Sequence, residues 1–195
     1  YVQVPQDNEK DEELRRSPYF IYPATGASYK QHRTIVNAVE VAKKKYPEVA
    51  NKIRVLFTLD KDSNKVLCEY IKAKGCENNF EFIGRVEYND LMRLVKNTSA
   101  LLFPSIIETL GLPLIEAATM GKAVVAANED YAKEVLADYE GVTFLRYDDY
   151  ESWADNIVKH IENYEQYPVL QQKESTWNNF FALVNESREK DLLTT

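Results

Sequence analysis

The sequence predicts an α/β fold built on a doubly wound parallel sheet of about six strands. Three observations carry that reading. Short apolar runs of strand length alternate with segments of helical period along most of the chain. The stretch 100–127, ALLFPSIIETLGLPLIEAATMGKAVVAA, reads as strand, loop, helix, strand, the unit of a parallel crossover. The segments that hold chemically notable residues, 24–30, 84–87, 104–113 and 128–131, each follow a predicted strand. In sheets of this kind ligands sit beyond the carboxyl ends of the strands.

Taken in order, residues 1–17 are polar and acidic, and Asp7 to Arg16 reads as a solvated linker or loop. Tyr19 to Tyr22 is the first predicted strand, and Pro23 to Tyr29 a loop. Gln31 to Tyr46 is a helix, because Ile35, Val36, Val39 and Ala42 recur on one face; Lys43 to Lys45 suit its carboxyl end, and Pro47 ends it. Ile53 to Leu59 is an apolar strand, Asp60 to Asn64 a turn, and Lys65 to Lys74 a helix capped by Gly75. Phe80 to Ile83 is the third strand, broken by Gly84, and Asp90 to Lys96 the next helix. Ala100 to Phe103 and Ala123 to Ala127 are buried strands flanking a helix that opens near Pro113 and stops at Gly121. Tyr131 to Leu136 is a short helix and Val142 to Leu145 the sixth strand. Asp148 to Tyr164 is amphipathic, with Trp153, Ile157, Ile161 and Tyr164 on one face, and Trp177 to Glu189 is a last helix. The implied organisation is a linker at 1–17, one domain over 18–189 and a tail at 190–195.

The chain's 195 residues, 45% hydrophobic and 12% aromatic, suffice for a real core. A net charge of −7 argues against nonspecific nucleic-acid binding and shows no polybasic membrane patch. No apolar run approaches a membrane span and no signal-like segment opens the sequence, so a cytoplasmic location is expected. Cys68 and Cys76 lack a metal-binding pattern and read as reduced thiols. Asn97-Thr98-Ser99 and Asn185-Glu186-Ser187 fit the glycosylation pattern, which without a secretory signal reads as chance.

The chemistry concentrates in the loop and first helical turn of 104–116. Helix amino termini leave N–H groups unpaired and carry partial positive charge, and Gly111 allows close approach to the backbone, so Leu110 to Leu114 favour a phosphate or diphosphate. Glu108 and Glu116 flank that anion site. A lone glutamate on a helix is ordinarily a solvated face, but Glu116 sits among Leu114, Ile115, Ala117 and Ala118, where a carboxylate needs a reason. It is placed to accept hydrogen bonds from a vicinal diol such as a ribose. Hydroxyl-binding acids beside a phosphate cradle suit a nucleotide sugar.

This stretch resembles the donor-binding motif of retaining glycosyltransferases of the two-domain GT-B fold. It is most similar to the family-4-like, group 1 enzymes that include bacterial mannosyl-, glucosyl- and galactosyltransferases and sucrose synthases. Their pattern is F-P-S-x-x-E-G-F-G-L-P-x-x-E-A-x-A-x-G-x-P-V-V-A. Phe103, Pro104, Ser105, Glu108, Gly111, Leu112, Pro113, Glu116, Ala117, Gly121, Val124, Val125 and Ala126 match it. Thr109 and Leu110 stand where Gly-Phe is usual, and Lys122 where Pro is usual. Earlier in the chain Lys30, with Gln31 and His32, matches a family lysine that binds the donor diphosphate, while Ala24 occupies the place of a second, arginine cation. A subset of the family beginning Tyr/Phe-Pro-Ala manages with the lysine, and Tyr22-Pro23-Ala24 looks like that subset.

The resemblance implies a Rossmann-like domain, the carboxyl-terminal half of a GT-B enzyme, which transfers a hexose from a nucleotide diphosphate sugar to an acceptor hydroxyl. Lys30 and Glu108 would be its catalytic side chains, Lys30 on the leaving diphosphate and Glu108 on the sugar hydroxyls. Ser105, Thr109, Leu110, Gly111, Leu112, Pro113 and Glu116 would bind the donor. Arg85, in a Phe82-to-Val86 run that also resembles the family, is suited equally to a base, a phosphate or plain surface. His32 reads as structural. No metal or other cofactor is expected. The partner would be an amino-terminal acceptor-binding domain outside this chain, through which alone any peripheral membrane association would arise; this chain by itself would be inactive or weakly active. The alternatives are a noncatalytic nucleotide-sugar-binding module, favoured by Ala24, and a related enzyme of the same fold such as a nucleotide-sugar epimerase.

Overall fold

The computed structural model describes residues 2, 4–6, 9–163 and 165–171. Six strands, β1 (Phe20–Tyr22), β2 (Val55–Phe57), β3 (Phe80–Phe82), β4 (Ala100–Phe103), β5 (Val124–Ala127) and β6 (Val142–Leu145), form one sheet in the order β3-β2-β1-β4-β5-β6. Every pairing is parallel. β1, β2, β4 and β5 are buried along their whole length, as strands covered on both faces must be.

The helices follow from the connections. α2 (His32–Lys45) and α4 (Lys65–Ala73) return the chain from β1 to β2 and from β2 to β3, moving outward in one direction. α5 (Tyr88–Asn97), α6 (Leu112–Thr119) and α7 (Asp130–Val135) carry it the other way, through β4 and β5 to β6. Right-handed crossovers therefore put α2 and α4 on one face and α5, α6 and α7 on the other. α8 (Tyr150–Glu162) crosses back to pack on α2, burying Trp153 completely, with its indole N–H donated to the Arg146 carbonyl at 3.0 Å.

Two elements differ from the sequence reading. The segment expected to be a solvated linker contains helix α1 (Glu9–Arg16), which docks on α5. Asp11 is fully buried there; Arg93 Nη1 donates to both of its carboxylate oxygens at 3.0 and 2.8 Å, and Asn97 Nδ2 to one at 2.8 Å. A run rich in charge still folds where one of its charges finds partners this complete. Pro47, expected only to stop a helix, also opens α3 (Pro47–Ala50), where its missing N–H is no loss. The expected helix at 177–189 lies outside the described residues.

Lys122, which stands where the resembled pattern has Pro, is deeply buried. It lies at the turn between α6 and β5 with only 1% of its surface exposed. Burial, with Arg15 adding repulsion, lowers its ammonium to about 7. A lysine depressed in the fold binds its proton more weakly than in the unfolded chain. Stability should therefore rise with pH between about 7 and the ordinary lysine value. Lys122→Met, which keeps the volume and removes the ammonium, is expected to flatten that rise. Calorimetric melts of both proteins at pH 6 and pH 9 measure this, and an undiminished rise in the variant would contradict the burial account.

Candidate functional site

The strand order reverses between β1 and β4, so the loops that leave their carboxyl ends diverge towards opposite faces and open a crevice. Both loops carry residues singled out by sequence. The chain leaves β1 through Pro23, makes a 3-10 turn over Ser28–Lys30, and enters α2 at Gln31. Gln31 has φ 52°, a left-handed conformation unusual for a residue with a side chain. That kink separates the direction of the turn from that of α2, so Lys30 projects into the crevice while α2 runs back along the sheet. The Tyr22 hydroxyl donates to the Lys30 carbonyl at 2.7 Å and fixes the turn on the strand below.

The loop after β4 is braced from three sides. Ile106 N donates to the Tyr29 carbonyl at 3.0 Å, joining it to the β1 loop. The Tyr131 hydroxyl, from the first turn of α7, donates to the Ser105 carbonyl at 2.6 Å. Ser105 Oγ donates to the Ile107 carbonyl at 3.1 Å, and Ser105 is wholly buried. The Ser105 hydroxyl is thus engaged inside the loop, where it helps to shape the turn towards Glu108.

These braces bring Glu108 to Lys30. Nζ of Lys30 lies 2.5 Å from Oε1 of Glu108, and each side chain is only 13% exposed. Lys30 also stands 5.4 Å from the centre of the Tyr29 ring. Burial first, and the negative charge of Glu108 second, push the Tyr22 and Tyr131 phenols well above their ordinary values, so both serve as neutral donors.

α6 begins just past Glu108. Gly111 precedes it with φ 60°, and a Cβ there would stand 3.1 Å from Leu114 Cδ1 and 3.3 Å from Tyr131 Cε2. Glycine is thus demanded by backbone geometry and by close packing, beyond the ligand access expected of it. Pro113 has no N–H, and Leu114 N is bonded to the Gly111 carbonyl at 2.8 Å. Among the described residues, no backbone hydrogen bond engages the N–H groups of Thr109, Leu110, Gly111 or Leu112. The open amides therefore fall at 109–112, slightly earlier than the 110–114 expected. This helix end is uncovered: Leu110 is 55% and Leu112 58% exposed.

Glu116 follows one turn into α6 and is buried. Burial raises its carboxyl above the usual range, and the Tyr88 hydroxyl partly offsets that by supporting the charged form. Tyr88 was missed by the sequence reading. The helix there was expected to begin at Asp90, whereas α5 begins two residues earlier at Tyr88, whose hydroxyl reaches Glu116 on α6. The signal lay in the short distance from the Gly84 break; the polar residues between concealed it. Tyr131 was missed in the same way, α7 beginning one residue earlier than expected. Arg85 is exposed on the turn after β3, the edge strand, two strands removed from β1. It shares the carboxyl edge with Lys30 and Glu108 but not their cluster.

His32 is buried, its ring centre 4.7 Å from that of Tyr22 and 5.0 Å from that of Phe57. Burial and the neighbouring Lys30 lower its imidazolium to about 4, so it is a neutral packing residue. Ala24 is half-buried and packed against the core. Among the described residues, no group of three or more His, Cys, Asp or Glu side chains is placed to hold a metal ion. No helix among them is long and apolar enough to cross a membrane.

Comparison with known proteins agrees with this architecture. The chain is 28% identical over 175 residues to the O-antigen chain mannosyltransferase RfbU of Salmonella typhimurium, a match that covers 90% of this chain and 45% of that protein. The chain thus spans less than half the length of that relative. Its fold superposes on the C-terminal domain of LpcC, a glycosyl transferase group 1 family protein of Francisella tularensis, with a TM-score of 0.64 and 23% identity, covering 83% of this chain and 86% of that one. It superposes on Anabaena HepE, solved in complex with UDP, with a TM-score of 0.66 and 20% identity, covering 80% and 44% of the two chains. The model describing the glycosyl transferases group 1 family matches residues 4–177, and the chain belongs to that family.

Proposed function

We propose that this chain is the donor-binding domain of a retaining glycosyltransferase, which moves a hexose from a nucleotide diphosphate sugar to an acceptor hydroxyl. The observation that carries the reading is the union of three features at one crevice: a cation and an acid on facing loops, and open amides at the start of α6. The diphosphate rests on the amides of 109–112 and on Lys30, which offset negative charge as it develops on the leaving group. Glu116 accepts hydrogen bonds from the ribose diol, and Glu108 receives sugar hydroxyls. The positive groups that serve the diphosphate belong to the chain itself, so no metal is part of the reading. That HepE, on the same fold, is solved in complex with UDP supports a nucleotide as ligand. The acceptor site belongs to the rest of a longer protein, in keeping with the share of RfbU that this chain matches.

A second reading, a noncatalytic nucleotide-sugar module, draws on Ala24, which leaves Lys30 without the second cation usual in the family. The two readings part in protein that includes the acceptor domain: unimpaired transfer after both Lys30→Ala and Glu108→Ala would favour the module.

Titration calorimetry of this chain against UDP-, GDP- and ADP-glucose is expected to show weak binding of at least one donor and no measurable transfer to an acceptor. Absence of binding to all three would remove the donor reading. Robust transfer by this chain alone would contradict the assignment of the acceptor site elsewhere.

The raised carboxyl of Glu116 gives a second test. Hydroxyl donors bind its ionised form, so affinity for a nucleotide sugar should climb as pH rises through the raised value and then level off. A sugar ester of a diphosphate does not itself titrate in that window. Glu116→Gln is expected to weaken donor binding by about 1.5–3 kcal/mol at neutral pH and to flatten the rise. A variant that retained the full pH dependence would place the titrating group elsewhere.

A further inference from the structure

The Lys30–Glu108 pair poses a problem for the proposed site. Both side chains are assigned to the donor, yet in the donor-free domain they are spent on each other, 2.5 Å apart and 13% exposed. The loops that carry them are bound together through Ile106 and Tyr29, so the pair cannot separate merely by the loops drifting apart. A lysine largely withdrawn from water is costly without a counter-ion. Whatever takes Glu108 away must therefore bring its own negative charge.

Resting on the donor reading above, we propose that Glu108 is the resident counter-ion of Lys30, and that the donor's diphosphate displaces it. The carboxylate occupies the position of a phosphate oxygen until the phosphate arrives. Lysine suits such an exchange: its ammonium is a point charge with three rotatable donors and holds no partner in a fixed fork. The exchange keeps Lys30 compensated throughout and leaves Glu108 as the unpaired group. Released, the carboxylate becomes an acceptor for sugar hydroxyls, so the sugar contact forms only once the diphosphate is seated. Glu108 is thereby a specificity-determining residue: a free hexose meets it already engaged, whereas a sugar carried on a diphosphate frees it. Ala24 sharpens the effect, because no second cation from that position is present to hold the diphosphate while the first is contested.

The exchange predicts an effect opposite to that of an ordinary contact residue. Glu108→Gln removes the competing charge, and is expected to bind UDP and inorganic pyrophosphate on the order of tenfold more tightly than the wild type. In a Lys30→Met background the same change is expected to bring no gain, because no cation is left to contest. A donor-independent measurement accompanies these: in ligand-free protein, acylation of Lys30 by an amine reagent, read by peptide mass mapping, should run faster in Glu108→Gln than in wild type. Equal UDP affinities for wild type and Glu108→Gln, with both binding, would overturn the exchange and leave the donor site standing. Equal acylation rates would overturn the resident pair itself. If neither protein bound UDP, GDP, ADP or pyrophosphate, the donor reading and the exchange would fall together.

Discussion

The pairing of β1 with β4 is the constraint on which the rest depends. Its register, Phe20 opposite Ala100 and Ile21 opposite Leu101, sets two non-consecutive strands side by side at the point where the sheet reverses its winding. Only there do adjacent loops part to opposite faces. The bond from Ile106 to Tyr29, made just above the last paired residues, turns that parting into a shallow floor with Lys30 on one wall and Glu108 on the other. A slip of one residue would invert every side chain of one strand, sending Tyr22 away from the turn its hydroxyl secures. The charged pair is thus a product of sheet register before it is a product of its own attraction.

Much of this was legible in the sequence. All six strands were read, four of them because strands buried on both faces write themselves as unbroken apolar runs. β4 and β5 are fully buried; β4 has the expected range, and β5 begins one residue later than expected. The position of Glu116 was legible for the opposite reason, being an acid where the pattern demanded apolar residues. What stayed hidden depended on contacts distant in sequence. Asp11 is separated from Arg93 and Asn97 by three of the six strands, so α1 looked like a polar linker until the partners of its one buried charge were in place. The bond of the Ser105 hydroxyl to its own loop was likewise not legible, because composition does not show which local carbonyl a serine meets. Tyr88 and Tyr131 were lost to helix starts misplaced by one or two residues, enough to turn a first-turn side chain from one neighbour to another.

The α6 amino end needs a more careful physical account than its motif suggests. The helix has eight residues and contains a proline in its first turn. Its aligned dipole is short, and Pro113 contributes no donor. Most of the positive potential there must come from the individual N–H groups at 109–112, which no backbone hydrogen bond engages ahead of the first helical bonds. Gly111 serves the site indirectly. It presses the loop against Leu114 and Tyr131, and that packing holds the amides in place.

The same geometry bears on why such a domain would need a second one. The charged centre is mostly withdrawn from water, but its rim is not: Ile107 is 62%, Leu110 55% and Leu112 58% exposed. Charge–charge attraction across a few ångströms weakens severalfold where water fills the crevice, so Lys30 and the open amides exert only part of their pull on an uncovered diphosphate. Covering the aliphatic rim with another apolar surface would bury those three side chains and expel the water that screens the charges beneath them. Under the proposed function one event thus serves two ends. Closure stabilises itself through the rim and strengthens the electrostatics that the transferred sugar requires, which gives domain association a direct physical route to the chemistry.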